Sequence, residues 1–537
     1  MACWREAKFG MFIHWGIYAV PAGEWKGRTG HGEWIMHTAQ IPVKQYELFA
    51  RQFNPEKFNA REWVGLARKA GMKYIVITTK HHDGFCLFDS RFTEYDIVDA
   101  TPFKRDIMKE LSDECRKQGI KIGWYYSVMD WHHRDYLPRR KWERRPAEGA
   151  DYDRYVDYMK NQLRELLSNY GPVDVMWFDG GWEHSARVHR SDEVIAALRS
   201  IQSHIVVNDR IGLLMDFDTP EQKIPRRQIA GRDWETCMTM NWHWGYCRGD
   251  DNWKSVADLI RKLVDITSKG GNFLLNVGPT AEGVIPQPSI DRLREIGEWM
   301  DVNGEAIYGA TAGPFRRLPW GRCTAKPGRL YLHIFDWPDK PLELPLINAV
   351  TKAYLLADPR RAGVKFKREE RRLFVDLPRE APDKIVTVVV LEIDGDPRVA
   401  LPSLASGTVV LCAVDATIHG TIARYEGGQG KDNIGWWTNE ADWVSWDVEV
   451  TEGGKYALEI CYACPADSAG SRYEVAVGPQ KLENQVESTG DWELFVTKTI
   501  GTVTINRAGR ASVSVRPLEM PKDAVMNLKS VALRRVK

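Results

Sequence analysis

The run Val175-Met176-Trp177-Phe178-Asp179-Gly180-Gly181 sets one carboxylate after four apolar residues and before two glycines. It reads as a buried strand with an acid at its tip. Aspartate is disfavoured inside strands, and a buried carboxylate is costly unless it is paired or hydrogen-bonded. Such a residue either caps a helix or turn or stands as a catalytic carboxylate at the mouth of a barrel. Other reactive groups also follow apolar runs: His14 in Phe9–Gly16, His81 and His82 after Lys73–Thr79, Tyr125 in Gly123–Ser127, and Arg210 in Asn208-Asp209-Arg210. Barrel strands end on a common face, so these groups should converge. One strand-end histidine is ordinarily structural. Five strand ends carrying His, His, Tyr, Asp and Arg fit that reading poorly.

The chemistry that suits these residues is a carboxylate pair. Glycoside cleavage needs one carboxyl group as nucleophile or base and another as acid. Asp179 is the first. Two glutamates compete for the second place: Glu221, in the loop sequence Asp216–Gln222, and Glu235, in Asp233–Cys237 at another strand end. A loop suits an acid that must reach the leaving oxygen from the open side. A strand end suits a group that orients the nucleophile or the sugar. Position favours Glu221 only slightly. The rival chemistry is metal-dependent hydrolysis, for which His81-His82-Asp83 and Asp130-Trp131-His132-His133 carry competent groups. Adjacent residues of an extended segment point opposite ways, and no His-x-His ends a strand, nor does His-x-x-x-His lie on a helix. No metal or cofactor is expected.

The elements that must position these groups alternate. Strands are expected at Lys73–Thr79, Ile120–Tyr126, Val173–Phe178, His204–Asn208 and Asn272–Val277. Helices are expected at Arg61–Ala70, Lys104–Lys117, Tyr152–Ser168, Asp192–Ser200, Val256–Thr267 and Ile290–Met300. Near-continuous apolar strands between helices indicate a parallel sheet covered on both faces. Some 300 residues of this pattern favour an α/β fold of the (β/α)8, TIM-barrel type over residues 1–309. A doubly wound sheet is the alternative, but no G-x-G-x-x-G follows a strand. Beyond Gly309 the pattern turns to strands and turn clusters. We read a β-sandwich over 310–394, a Pro/Gly/Ser/Ala-rich linker over 395–407, and a jelly-roll-like all-β module over 408–537. This module carries Tyr425, Trp436, Trp437, Trp443, Trp446 and Trp492 and is similar to carbohydrate-binding modules of the galactose-binding type. A purely structural module is the other reading.

Composition excludes several classes. The 74 basic and 73 acidic residues leave a net charge of +1, so there is no electrostatic footprint for nucleic acid or an anionic membrane. No segment is long and apolar enough to span a bilayer. The nine cysteines are irregularly spaced and indicate no disulfide framework. The 22 tryptophans serve equally as core filler or as flat faces for sugar C–H surfaces. The start at Met1 shows no leader pattern; the chain is secreted or periplasmic if a leader has been removed, and otherwise cytoplasmic.

Taken together, the runs KFGMFIHWGIYAVPAGEW, GEWIM, KYIVITTKHHDGFCLFDS, GWYYSVMDWHH, VMWFDGG, NDR, TPEQ, WETCMTMNWHWGY and SKGGNFLLNVGPTAEGVIP resemble the α-L-fucosidases of glycoside hydrolase family 29. They cover most of residues 4–309 in family order. The resemblance implies a (β/α)8-like catalytic domain, retaining hydrolysis without metal, and a fucosylated oligosaccharide or glycoconjugate as substrate. It implies Asp179 as nucleophile and Glu221 as acid/base. His14, Glu33, Trp34, His81, His82, Tyr125, Arg210 and Trp244 are implied to bind the sugar; Glu235 joins them on its strand-end position alone, as a group that would orient the nucleophile or the sugar. Trp34, Trp244 and Tyr125 would supply the apolar wall for the C6 methyl of fucose, and His14, His81, His82 and Arg210 the donors for its hydroxyls. The TPEQ and WETCMTMN wording resembles the branch that acts on α1,3- or α1,4-linked fucose. A fucose-binding protein without activity and a metal-dependent barrel hydrolase are the alternatives.

Overall fold

The computed structural model describes residues 1–537 except 226–228, 230, 317, 405, 406, 429, 430 and 537. Eight parallel strands form the first sheet: β1 (Phe9–Ile13), β2 (Tyr74–Lys80), β3 (Lys121–Ser127), β4 (Val175–Asp179), β5 (Val206–Val207), β6 (Phe217–Asp218), β7 (Asp233–Thr239) and β8 (Asn272–Val277). Their order is β5-β4-β3-β2-β1-β8-β7-β6. The remaining seam is spanned by a bridge between Asn208 and Phe217 and by Asp216 N–H donating to Val207 O at 3.0 Å. The sheet is thus rolled into a TIM-type barrel, as the alternation of strand and helix leads one to expect.

Helices Ala60–Lys69, Ile107–Gln118, Tyr152–Ser168, Ser191–Ile201 and Val256–Ser268 precede β2, β3, β4, β5 and β8, and Gln287–Asn303 follows β8. Asn59, Asp106, Asp151 and Ser255 cap four of them by accepting from first-turn N–H groups. The strand expected over His204–Asn208 shrinks to two residues for a local reason. The Asn208 side chain takes over the backbone's role: its Oδ1 accepts from Phe178 N–H at 2.8 Å and its Nδ2 donates to Phe178 O at 2.9 Å.

Side chains alternate across each strand. Phe12, Tyr74, Val76, Tyr125, Val175, Trp177, Cys237 and Leu274 fill the interior of the barrel. Their neighbours Met11, Ile75, Tyr126, Phe178 and Leu275 face the helices. Asp179 is in phase with Val175 and Trp177, and His14 with Phe12, so both point inward at the C-terminal mouth. The short helix Ala2–Ala7 plugs the other end, with the Trp4 ring 4.6 Å from that of Phe217.

Beyond the barrel a five-stranded and a three-stranded antiparallel sheet form a sandwich. Its strand Thr387–Ile393 links the two cores: Val388 and Val390 pack with the barrel, Val389 and Leu391 with the sandwich. The C-terminal region is two further antiparallel sheets closing on one core. The segment expected to be a linker is paired on both sides. Ala400 N–H donates to Pro345 O at 2.7 Å and Glu449 N–H to Pro402 O at 2.8 Å, and Leu404 is buried; residues 405 and 406 lie outside the described residues.

Candidate active site

A cleft at the C-terminal mouth is lined by Phe12, His14, Glu33, Trp34, His81, His82, Tyr125, Trp177, Asp179, Trp182, Arg210, Glu221, Cys237 and Trp244. Ten of these are residues singled out from sequence. The exception among the sequence candidates is Glu235.

Asp179 is almost buried, and three groups surround its carboxyl. Tyr125 Oη–H donates to Oδ2 at 2.9 Å, Arg210 Nη1 donates to Oδ1 at 3.0 Å, and His82 Nε2 lies 3.6 Å from Oδ2. The second arm of the same guanidinium, Nη2, donates to Glu221 Oε2 at 2.9 Å. One cation therefore holds an oxygen of each carboxyl group. Burial works against the charge of Arg210, but Asp179, Cys237 and Glu221 outweigh it, and its pKa is raised. The guanidinium also lies 4.7 Å over the Trp177 ring, and Thr219 accepts from its Nε through Oγ1 at 2.9 Å. Glu221 is the more open carboxyl, with 42% of its side chain exposed against 12% for Asp179.

The glycine pair after Asp179 makes this approach possible. Gly180 adopts φ 74°, a left-handed conformation that glycine takes without penalty. A Cβ on Gly181 would collide with the carbonyl oxygen of Arg210. Any larger residue there would push the Arg210 segment away from the end of β4.

His14 and His82 turn neutral Nε2 acceptors toward the cleft, where the sequence reading expected donors, because their Nδ1–H groups are taken up by Asn276 and Ser127. Burial pushes His14 down to about 4. Asn276 Nδ2 donates to Trp244 O at 2.7 Å, which leaves Asn276 Oδ1 to accept at 2.7 Å from His14 Nδ1–H. His14 Nε2 is then free of its proton. Ser127 Oγ–H donates to Met129 O at 2.6 Å and accepts from His82 Nδ1–H at 2.6 Å; burial holds His82 well below its ordinary value. His81 is lowered by burial likewise and stacks on Tyr125 with centroids 5.6 Å apart. Glu33 accepts from Gly245 N–H at 2.9 Å, and burial raises its pKa. Trp34 packs edge-on to His82 at 5.1 Å, and Trp244 lies 4.9 Å from His14. The result is a pocket of aromatic faces and neutral acceptors with two carboxyl groups and one cation at its reactive side, a surface matched to a sugar rather than to an anion.

Glu235 departs from the sequence expectation. It is the third residue of β7, registered opposite Asn272 at the start of β8, and it lies four residues before the strand end at Thr239. At about 3.3 Å per residue it sits roughly 13 Å below the mouth. Tyr74 Oη–H and Trp177 Nε1–H (3.1 Å) donate to it, and it is fully buried. It braces the underside of Trp177 and does not line the cleft.

Four lining residues were not anticipated. Phe12, Trp177 and Cys237 each lie two residues before or after a candidate on the same strand, so period-two alternation carried the signal. Trp182 follows the glycine pair and has no periodic signature.

Comparison with known proteins accords with this geometry. Residues 1–305 match the family model described as alpha-L-fucosidase, and residues 423–518 match that of carbohydrate binding module family 35. Among solved structures, alpha-L-fucosidase isoenzyme 1 of Paenibacillus thiaminolyticus is 40% identical with a TM-score of 0.68, over 73% of this chain and 98% of its own. The alpha-L-fucosidase of a Vibrio species is 29% identical with a TM-score of 0.74, over 99% of this chain and 97% of its own. An alpha-L-fucosidase of Bacteroides thetaiotaomicron, trapped as a covalent intermediate with 2-fluoro-fucosyl fluoride, is 30% identical with a TM-score of 0.67, over 73% and 95%. With more than half of its length matched by the family model, this chain belongs to the alpha-L-fucosidase family of glycoside hydrolases.

Proposed function

We propose that the cleft removes terminal α-L-fucose with retention of configuration, with Asp179 as nucleophile and Glu221 as acid/base. The observation that carries this is the Arg210 guanidinium held between the two carboxyl groups, at 3.0 and 2.9 Å. In the first step an Asp179 oxygen attacks the anomeric carbon. The bond from that carbon to the glycosidic oxygen breaks, and Glu221 donates its proton to the departing oxygen. In the second step Glu221 takes a proton from water, which attacks the same carbon and releases Asp179. Retention calls for carboxyl groups about 5–5.5 Å apart, a spacing that two arms of one guanidinium favour. His14 and His82 accept from sugar hydroxyls through Nε2, and Trp34, Trp177 and Trp244 supply apolar wall.

Replacement of Asp179 by Ala should leave the fold intact and stop fucose release, and azide should rescue it as a fucosyl azide of inverted configuration. Near-normal turnover by that variant would refute the assignment. On linkage, the TPEQ and WETCMTMN wording supports fucose α1,3- or α1,4-linked to N-acetylglucosamine. Lewis a and Lewis x trisaccharides should be cleaved faster than 2′-fucosyllactose and an aryl fucoside; the reverse order would refute this preference.

A further inference from the structure

Trp182 is the one large apolar side chain among the lining residues that stands out in solvent. It is 59% exposed, whereas Phe12, Tyr125 and Trp177 are buried. Trp34 and Trp244 are half-buried. Its indole meets an edge of His82, at 6.0 Å. The backbone that carries it is nevertheless firmly tied. Trp182 sits in the turn Gly181–Glu183. Glu183 accepts from Tyr136 Oη–H at 2.5 Å and from Arg140 at 2.8 Å. On the other side His189 Nε2 bonds Gly181 O at 2.9 Å. An exposed indole forgoes the gain of burying its apolar area, so a rigidly mounted one at a cleft mouth is arranged for a partner that arrives from solvent.

The direction of the scissile bond identifies that partner. Asp179 lies at the closed end of the cleft and Glu221 at its open side. A glycosidic oxygen protonated by Glu221 therefore leads outward, to the open side of a cleft whose exposed aromatic lining residue is Trp182. We propose that Trp182 is the platform for the first sugar of the leaving group, its indole stacked on the apolar C–H face of that pyranose. This rests on the reading of Asp179 and Glu221 given above, and it makes Trp182 a residue that selects oligosaccharides over small fucosides.

The test compares Trp182→Ala and Trp182→Phe on a fucosyl disaccharide and on α-L-fucosyl fluoride, whose leaving group has no ring. Trp182→Ala should lower kcat/KM on the disaccharide roughly tenfold, the scale of one lost aromatic contact. It should leave the fluoride within about twofold, and Trp182→Phe should recover most of the loss. Equal losses on both substrates would mean that the indole merely supports the cleft, and an unchanged rate on the disaccharide would mean that it touches nothing; either overturns the platform. Failure of the unaltered enzyme to hydrolyse the fluoride would instead overturn the reading of the cleft, and the platform with it.

Discussion

The upper and lower layers of the barrel interior use the same parts to opposite ends. At the mouth, Asp179 takes a tyrosine hydroxyl from Tyr125 and lies beside Trp177 and Arg210. Below it, Glu235 takes a tyrosine hydroxyl from Tyr74 and the indole N–H of the same Trp177. The difference is one cation and one opening. Arg210 compensates the charge of Asp179 and links it to Glu221, whereas the groups bonded to Glu235 are neutral. Burial accordingly pushes Glu235 up to about 7, so it is an uncharged plug in mildly acidic solution and loses its proton as pH rises through neutrality. A buried carboxyl group without a cation braces structure; with one, at a cleft, it is available for chemistry.

The largest separation between the layers should come from paired alanine substitutions of the two glutamates. Glu221→Ala removes the proton donor and should cost about 10²–10⁴ in kcat on an oligosaccharide, with far less loss on fucosyl fluoride, whose departure needs no proton. Its melting temperature should hardly move, because its side chain is half in solvent. Glu235→Ala should do the reverse. It strands the Tyr74 hydroxyl and the Trp177 N–H in the interior, at about 1–3 kcal/mol each way the site fails to relax, with a smaller effect on turnover. A large loss of activity from Glu235→Gln, which preserves shape and hydrogen-bonding capacity, would break the comparison.

A pH series sharpens it next. The ordinary value for Glu235 is 4.5 and its folded value about 7, so between these the native state holds a proton that the unfolded chain has lost. Stability rises with pH only where the unfolded state binds more protons; here it binds fewer. The contribution of Glu235 is therefore fully present below about 4.5 and is lost as pH rises through 7. Denaturant unfolding at pH 5 and pH 8 should show a smaller difference in Glu235→Gln than in the unaltered protein. Identical slopes would mean that Glu235 is charged in the fold.

How much of this was legible differs between the layers for a physical reason. His14, His81, His82, Tyr125 and Asp179 each follow a run of apolar residues, and strand polarity alone carries them to one face. Glu235 was misplaced because β7 begins with Asp233-Trp234-Glu235, and two acids at a strand start read like a strand end. Its true depth depends on register with Asn272, a long-range fact that local pattern does not hold. The strand expected over His204–Asn208 was read too long because the Asn208 side chain stands in for backbone pairing. Segment 395–404 has the composition of a linker because edge pairing by backbone groups makes little demand on side chains. In the C-terminal module, tryptophan count likewise says little about exposure. Trp437 and Trp446 are core, Trp443 is covered by His419 and Arg516 at 3.6 and 3.4 Å, and Trp436 is exposed.

The smallest expected effect concerns Trp177, the residue shared by both layers. Its Nε1–H serves Glu235 below, and its ring supports the Arg210 guanidinium above. Trp177→Phe keeps a face for the cation, though a weaker one, and removes the donor. Stability should fall by about 1 kcal/mol from the lost hydrogen bond, and kcat/KM by less than about tenfold, since Arg210 still has both carboxyl groups and Thr219 as partners. The two effects should separate in a double-mutant cycle. In a Glu235→Gln background the stability cost should change, because the altered partner is the one that accepted the bond. The activity cost should stay the same, because it arises at Arg210. If instead both costs shift together, the layers are mechanically coupled through the indole, and the lower carboxyl group helps to set the position of the upper one.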